Sequence, residues 1–294
     1  MTSMTFYIVD VFAEEKYQGN QLAVFRNAAG LSKDEMQKIA RETNFSETTF
    51  ILSDSKVNNG YDVKIFTPDS EVPFAGHPTL GTAFIIHREI ENGATGKVTL
   101  NLGVGQIPVT FEQNKDIWMK QNPPQFGRIL DRNTMSEILS INAEGIDANF
   151  PVQEVSTGLP SIIVPLDSLR SVRQCRIHHD KYRRFLQEAF SANILVFSRE
   201  TYEKENHLNV RVFCEDSGFP EDAATGSANG NLAGYLLEYG YFSDSQLLYS
   251  VEQGYEIRRK SLLKVKASKA GGRFDINVGG KVFPVAKGEW FIRA

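Results

Sequence analysis

The chain carries one passage twice. Val63-Lys64-Ile65-Phe66 returns as Val210-Arg211-Val212-Phe213 at an offset of 147 residues, with Asp69-Ser70 repeated as Asp216-Ser217 and Pro73 as Pro220. The second copy then gains three residues, so Gly76-His77 aligns with Gly226-Ser227 at an offset of 150. In each copy a β-rich run passes through a proline-containing turn to a glycine, and a helix of small residues follows. Further out, Phe45-Ser46 and Phe50-Ile51-Leu52-Ser53 return as Phe190-Ser191 and Leu195-Val196-Phe197-Ser198 at an offset of 145. Gly19, ahead of Leu22-Ala23-Val24-Phe25, has a looser echo in Gly158 ahead of Ile162-Ile163-Val164. Self-similarity at half the chain length predicts an internal duplication and two domains of one design. The symmetry breaks where Glu47 faces Ala192, so only the first half keeps the acid.

A chain of 294 residues with 41% hydrophobic content can bury two sizeable cores. Its net charge of −4 gives no electrostatic footprint for nucleic acid or an anionic membrane. No apolar run approaches the roughly 20 residues of a membrane span. The start, Met1-Thr2-Ser3-Met4-Thr5-Phe6, lacks the basic and apolar regions of a signal peptide, and Cys175 and Cys214 make no disulfide framework. The expectation is a reduced, cytoplasmic protein with neither nucleic-acid nor membrane partners.

In chain order, Tyr7 to Phe12 reads as a strand, and Gly19-Asn20 turns the chain into a second, Leu22 to Phe25. Ser32 and Glu35 form a capping box with Leu31 and Met36 as its staple. The helix they open should end near Thr43-Asn44 and deliver Glu47 to a strand, Thr48 to Leu52. Asn58-Asn59-Gly60 is a turn before the strand Tyr61 to Thr67. Pro78 opens a helix that is apolar on nearly every side and therefore buried, with Gly81 kept for close packing. Thr134 and Glu137 form a second capping box, and Gly230 and Gly234 leave one face of a second buried helix bare. Tyr182, Phe185, Leu186, Ala189 and Phe190 make a helical stripe. Asn122-Pro123-Pro124 is the expected linker, with domains at 1–121 and 122–280. The segment from Phe274 to Val285 reads as a hairpin turned at Gly279-Gly280, whose last strand, about 281–294, can complete the first domain.

A glycine that opens a helix presents free N–H groups and the positive end of the helix dipole. Gly76-His77 and Gly226-Ser227 are therefore either ordinary helix starts or a pair of anion sites that grip a carboxylate. Glu47, flanked by Ser46, Thr48 and Thr49, is either a solvated glutamate or a general acid/base whose pKa burial raises towards neutrality. Asp222, which belongs to the second half alone, is either a helix cap or a substrate contact. His178-His179 has no cysteine or glutamate at metal-ligand spacing, so no metal is expected. Ser227 lacks a nucleophile-elbow frame, and Gly103-Val104-Gly105 lacks a dinucleotide or P-loop frame.

Several segments together resemble the PhzF family of phenazine-biosynthesis PhzC/PhzF proteins, within the diaminopimelate epimerase-like superfamily. They are Val9-Asp10-Val11-Phe12 with Gly19-Asn20, Asn44 to Phe50, Phe66 to Gly81, Glu221 to Ser227 and Glu252-Gln253-Gly254. The resemblance implies an α+β fold of two similar domains, each a β-barrel-like sheet wrapped around a central helix, related by a pseudo-twofold with the active site in the cleft between them. It implies isomerisation of trans-2,3-dihydro-3-hydroxyanthranilate by a homodimer without cofactor. Glu47 takes the place of the proton shuttle, and His77, Asp222, Gly76, Gly226 and Ser227 those of site residues. The superfamily's epimerases use two cysteines; His77 and Ser227 stand near those places, which removes a two-thiol mechanism. Gln21 and Ala223 replace the family's prolines, and its glycine–arginine–proline–serine motif reads Arg258-Arg259-Lys260-Ser261.

The expected activity is proton transfer on a small carboxylate, with Glu47 moving the proton, the glycine-opened helices holding the anion, and His77 and Asp222 orienting polar substituents. Its rivals are an epimerase or racemase using Asp222 as a second base, and a non-catalytic small-anion or partner-binding protein. Exchange of substrate carbon protons with solvent separates the enzymes from the binder.

Overall fold

A computed structural model describes residues 2–187, 193–214 and 220–293. Its contacts fall into two compact units, Met1–Met119 with Gly279–Ala294, and Lys120–Val278. Both combine helices with a sheet that contains parallel and antiparallel pairs.

In the first unit, strand Thr2–Val11 runs antiparallel to Asn20–Arg26 on one side and to Val282–Arg293 on the other. Asn20–Arg26 pairs parallel with Thr48–Ile51, reached through the helix Lys33–Thr43. Thr48–Ile51 pairs antiparallel with Tyr61–Phe66, which has Glu71–Val72 antiparallel and Lys97–Leu102 parallel as further neighbours. The second unit follows the same order. Val152–Ser156 is antiparallel to Pro160–Pro165, which is parallel to Asn193–Ser198. Asn193–Ser198 is antiparallel to Leu208–Cys214, whose other partners are Glu221–Asp222, antiparallel, and Gln246–Gln253, parallel.

Local chemistry sets these elements. At the first helix Ser32 Oγ accepts from Glu35 N at 3.2 Å while Glu35 Oε2 accepts from Ser32 N at 2.8 Å, which closes the capping box. Asn44 ends that helix in the left-handed region at φ 52°. Met36, Ile39 and Ala40 bury its inner face against Phe25, Phe50 and Phe66. The helix Gly76–Ile85 is buried along nearly its whole length and packs on the strands Thr2–Val11, Asn20–Arg26 and Thr48–Ile51. A Cβ at Gly81 would lie 2.6 Å from Leu22 and 2.9 Å from Val11, so only glycine lets the helix approach the sheet this closely. The buried helix of the second unit, Gly226–Glu238, uses Gly234 likewise, where a Cβ would stand 2.6 Å from Pro124.

Several local expectations need correcting. Gly279 and Gly280 do not turn a hairpin; they close the strand Arg273–Gly280 with no left-handed backbone, and the positive-φ pair is Gly271-Gly272, at 54° and 75°. Pro78 is the third residue of its helix rather than the first, still in the turn whose N–H groups have no helical acceptor. Asp131, not Thr134, caps the helix Arg132–Leu139, its side chain accepting from Thr134 N at 2.8 Å. Cys214, which occupies the repeat position of Thr67 and reads from the sequence as a core residue, is half-buried at a strand end. Ala189, Phe190-Ser191, Ala192 and Asp216-Ser217 lie outside the described residues.

Candidate functional site

Glu47 sits between the C-terminal turn of Lys33–Thr43 and the strand Thr48–Ile51, and its side chain is 18% exposed. Thr48 and Thr49 on its C-terminal side are fully buried. Carboxylate desolvation dominates: burial pushes the Glu47 carboxyl from 4.5 up to about 7, against a smaller opposing pull from the neighbouring Ser46 side chain. Its Oε2 accepts no hydrogen bond among the described residues and lies 3.4 Å from His77 Nε2.

His77 is the second residue of the buried helix and is itself buried. Ser46 Oγ donates to Asn20 Oδ1 at 3.4 Å, which turns the Asn20 amide nitrogen towards His77 Nδ1 at 3.2 Å. The other ring nitrogen, Nε2, faces Glu47, so the ring bridges the Asn20 amide and the Glu47 carboxyl. Among the described residues no side chain caps this helix, Ala75 in the N-cap position offering none, and the Gly76 and His77 amides stand at the positive end of the dipole. A carboxyl whose pKa lies near 7, a buried imidazole nitrogen 3.4 Å from it and a helix N-terminus therefore meet at one place.

In the second unit the Gly226–Glu238 helix is also without a side-chain cap among the described residues, and Gly226 and Ser227 are buried. Asp222 does not cap it directly; its Oδ2 accepts from Thr225 Oγ1 at 2.6 Å. Gln253 organises this corner. Its Oε1 accepts from Thr225 N at 3.2 Å and Asn229 Nδ2 at 3.1 Å, and its Nε2 donates to Asp222 O and Thr225 Oγ1, both at 3.0 Å. Next to it Gly254 adopts φ 76°, where a Cβ would meet Arg259 O at 2.3 Å and Ala223 O at 2.6 Å. Sequence reasoning gave no role to Asn20, Thr225, Asn229 or Gln253. The available signal was an uncharged polar residue inside an otherwise apolar strand or helix, as at Gln253 in Gln246–Gln253.

Among the described residues no group of three or more His, Cys, Asp or Glu is placed to hold a metal ion. No described helix is long and apolar enough to cross a membrane.

The PhzC-PhzF family model, described as phenazine biosynthesis-like protein, matches residues 9–288. The chain belongs to this family. An uncharacterized isomerase of Pasteurella multocida is 33% identical over 295 residues, covering 99% of this chain and 96% of that protein. The trans-2,3-dihydro-3-hydroxyanthranilate isomerase of Pseudomonas fluorescens is 34% identical over 268 residues, covering 89% and 90%. Among solved structures, the Bacillus anthracis phenazine biosynthesis protein of the PhzF family superposes with a TM-score of 0.89 at 28% identity, covering 99% of this chain and all of that one. A probable proline racemase from Agrobacterium radiobacter, at 10% identity and a TM-score of 0.63 over 99% and 93% of the two chains, shares the fold alone. The fold is thus of the epimerase-like class.

Proposed function

We propose that this chain is a cofactor-independent isomerase that moves a proton within a small carboxylate substrate, of the kind that trans-2,3-dihydro-3-hydroxyanthranilate represents. The observation that carries the reading is Glu47, a carboxyl whose pKa lies near 7 beside His77 at a helix N-terminus. At neutral pH such a group is present in both forms, so it can serve as base and then as acid. Ionised Glu47 takes a proton from a substrate carbon, the electron pair moves through the adjoining double bond, and the protonated Glu47 returns the proton to the carbon where the charge arrives. One group reaching both carbons works on one face of the substrate. The Gly76 and His77 amides hold the carboxylate, and the His77 imidazole steadies a polar substituent. Asp222, Gly226 and Ser227 are proposed as further substrate-binding groups. Asp222 is tied to Thr225, which favours one base over the two an epimerase needs.

The proposal includes a cytoplasmic homodimer and a duplicated chain whose halves each wrap a sheet around a small-residue helix. The sequence repeat and the matching order of strand pairings support the duplication. The test is turnover of the dihydrohydroxyanthranilate in deuterated water. Wild type should isomerise it, with deuterium entering the new C–H position to the extent that the proton on Glu47 exchanges with solvent before its return, and Glu47→Gln should lose roughly 10²–10⁴-fold in rate. Undiminished turnover in the variant removes Glu47 from the mechanism.

A further inference from the structure

The stretch Arg258-Arg259-Lys260 has no part in the reaction just described, and its first residue lies on a cavity of the second unit. This hollow, about 580 Å³, carries four guanidinium groups on its wall, Arg170, Arg173, Arg176 and Arg258, against the single carboxylate of Glu256. None of the four has an ion-pair partner among the described residues. By contrast, Arg26, Arg128 and Arg211 are neutralised, by Asp54 at 2.7 Å, Glu154 at 2.9 Å and Glu221 at 2.7 Å.

The wall is built rather than incidental. Tyr202 and Tyr255 stack with centroids 4.7 Å apart and planes 8° from parallel. Arg173 lies over the Tyr202 ring at 5.9 Å and Lys260 over Tyr255 at 5.1 Å, so the stacked pair holds two cations by their ring quadrupoles. The Tyr202 hydroxyl donates to Glu256 Oε1 at 2.6 Å, which ties the one carboxylate to the wall. Arg176 gives Nη1 to the carbonyls of Arg173 and Cys175, at 2.8 and 2.7 Å, and this fixes its fork. Arg258 sits in the left-handed region at φ 60°, where its Cβ crowds the backbone and glycine would not. An arginine kept at such a position points to a task for its guanidinium.

We propose that this cavity binds a small anion carrying two phosphoryl groups. A guanidinium fork engages phosphate oxygens two at a time, so four forks exceed what one phosphate occupies and match two. A concave space of this size takes a small ligand. Each tyrosine has a ring on one side and a cation over it, so an aromatic moiety gains no stacking platform, and recognition rests on the phosphoryl groups.

Titration calorimetry with inorganic pyrophosphate at low ionic strength tests this on wild type, Arg258→Gly and Arg173→Ala. Wild type should bind one pyrophosphate at least tenfold more tightly than orthophosphate, and each variant should weaken that binding at least tenfold. Arg258→Gly relieves the left-handed backbone, so it should melt no lower than wild type, and its loss of affinity is not a loss of fold. Absence of saturable pyrophosphate binding to wild type overturns the proposal. Undiminished binding in both variants overturns it too, since the anion would then sit elsewhere, for instance at a helix end.

Discussion

Replacing Glu47 by glutamine should change how stability depends on pH, and this can be measured without a substrate. In the unfolded chain the carboxyl titrates near its ordinary 4.5, and in the folded protein near 7. Below 4.5 both states hold the proton and the site contributes nothing. Between the two values the unfolded state ionises while the folded state does not, which favours unfolding. Above 7 both are ionised and the loss is complete. The sign is therefore a stability that falls as pH rises from about 4.5 to about 7, and the displacement corresponds to roughly 3 kcal/mol. With its side chain 18% exposed, the carboxyl is sheltered enough for most of that figure to survive solvent screening. Glutamine fits the same space and cannot ionise. Urea denaturation of both proteins at pH 4.5 and pH 8 gives the difference, in which groups common to both cancel. Glu47→Gln should gain about 3 kcal/mol relative to wild type between the two pH values. A difference that stays flat would refute the buried, near-neutral carboxyl, and with it the reason for choosing this acid as the shuttle.

Gly81→Ala should cost about 1–3 kcal/mol by overpacking, because the new methyl meets Leu22 at 2.6 Å in a buried layer; an unchanged denaturation midpoint would mean the helix can back away freely. Asn20→Ala should remove the amide 3.2 Å from His77 Nδ1, and nitrogen NMR of the ring should then show a changed tautomer ratio. If the tautomer ratio is the same in both proteins, Asn20 is not what sets it.

The parts of the site that could be read from the chain are those written in local sequence. Ser32 and Glu35 cap a helix because they are three apart, and Gly76-His77-Pro78 open one because proline and glycine fix backbone behaviour within a turn. Glu47 stood out as the acid present in one half only, and the expected rise of its pKa depended on burial that only packing could supply. Asn20 was legible only as a turn residue, since its contact with His77 spans 57 residues and follows from strand pairing. Gln253 reaches Thr225 across 28 residues for the same reason. The misplaced hairpin shows the limit of reading two adjacent glycines as a turn: at Gly279 a Cβ would meet Ile117 O at 2.5 Å, so the glycine there admits a neighbouring backbone.

The first unit is completed by Val282–Arg293, which pairs along the whole of Thr2–Val11, while residues 120–278 form the other unit. During synthesis the opening strand therefore exists for a long interval with one of its two edges open. At roughly 5–20 residues per second, the ribosome takes about 10–30 s to make the intervening segment. The inserted unit has all its strands in hand before the first unit can close, so the order of folding should run against the order of translation. In that interval the exposed edge of Thr2–Val11, rich in Phe6, Tyr7, Ile8 and Val9, is a surface on which nascent chains can pair wrongly. Newly made protein, rather than the finished fold, is where this architecture is most prone to aggregate.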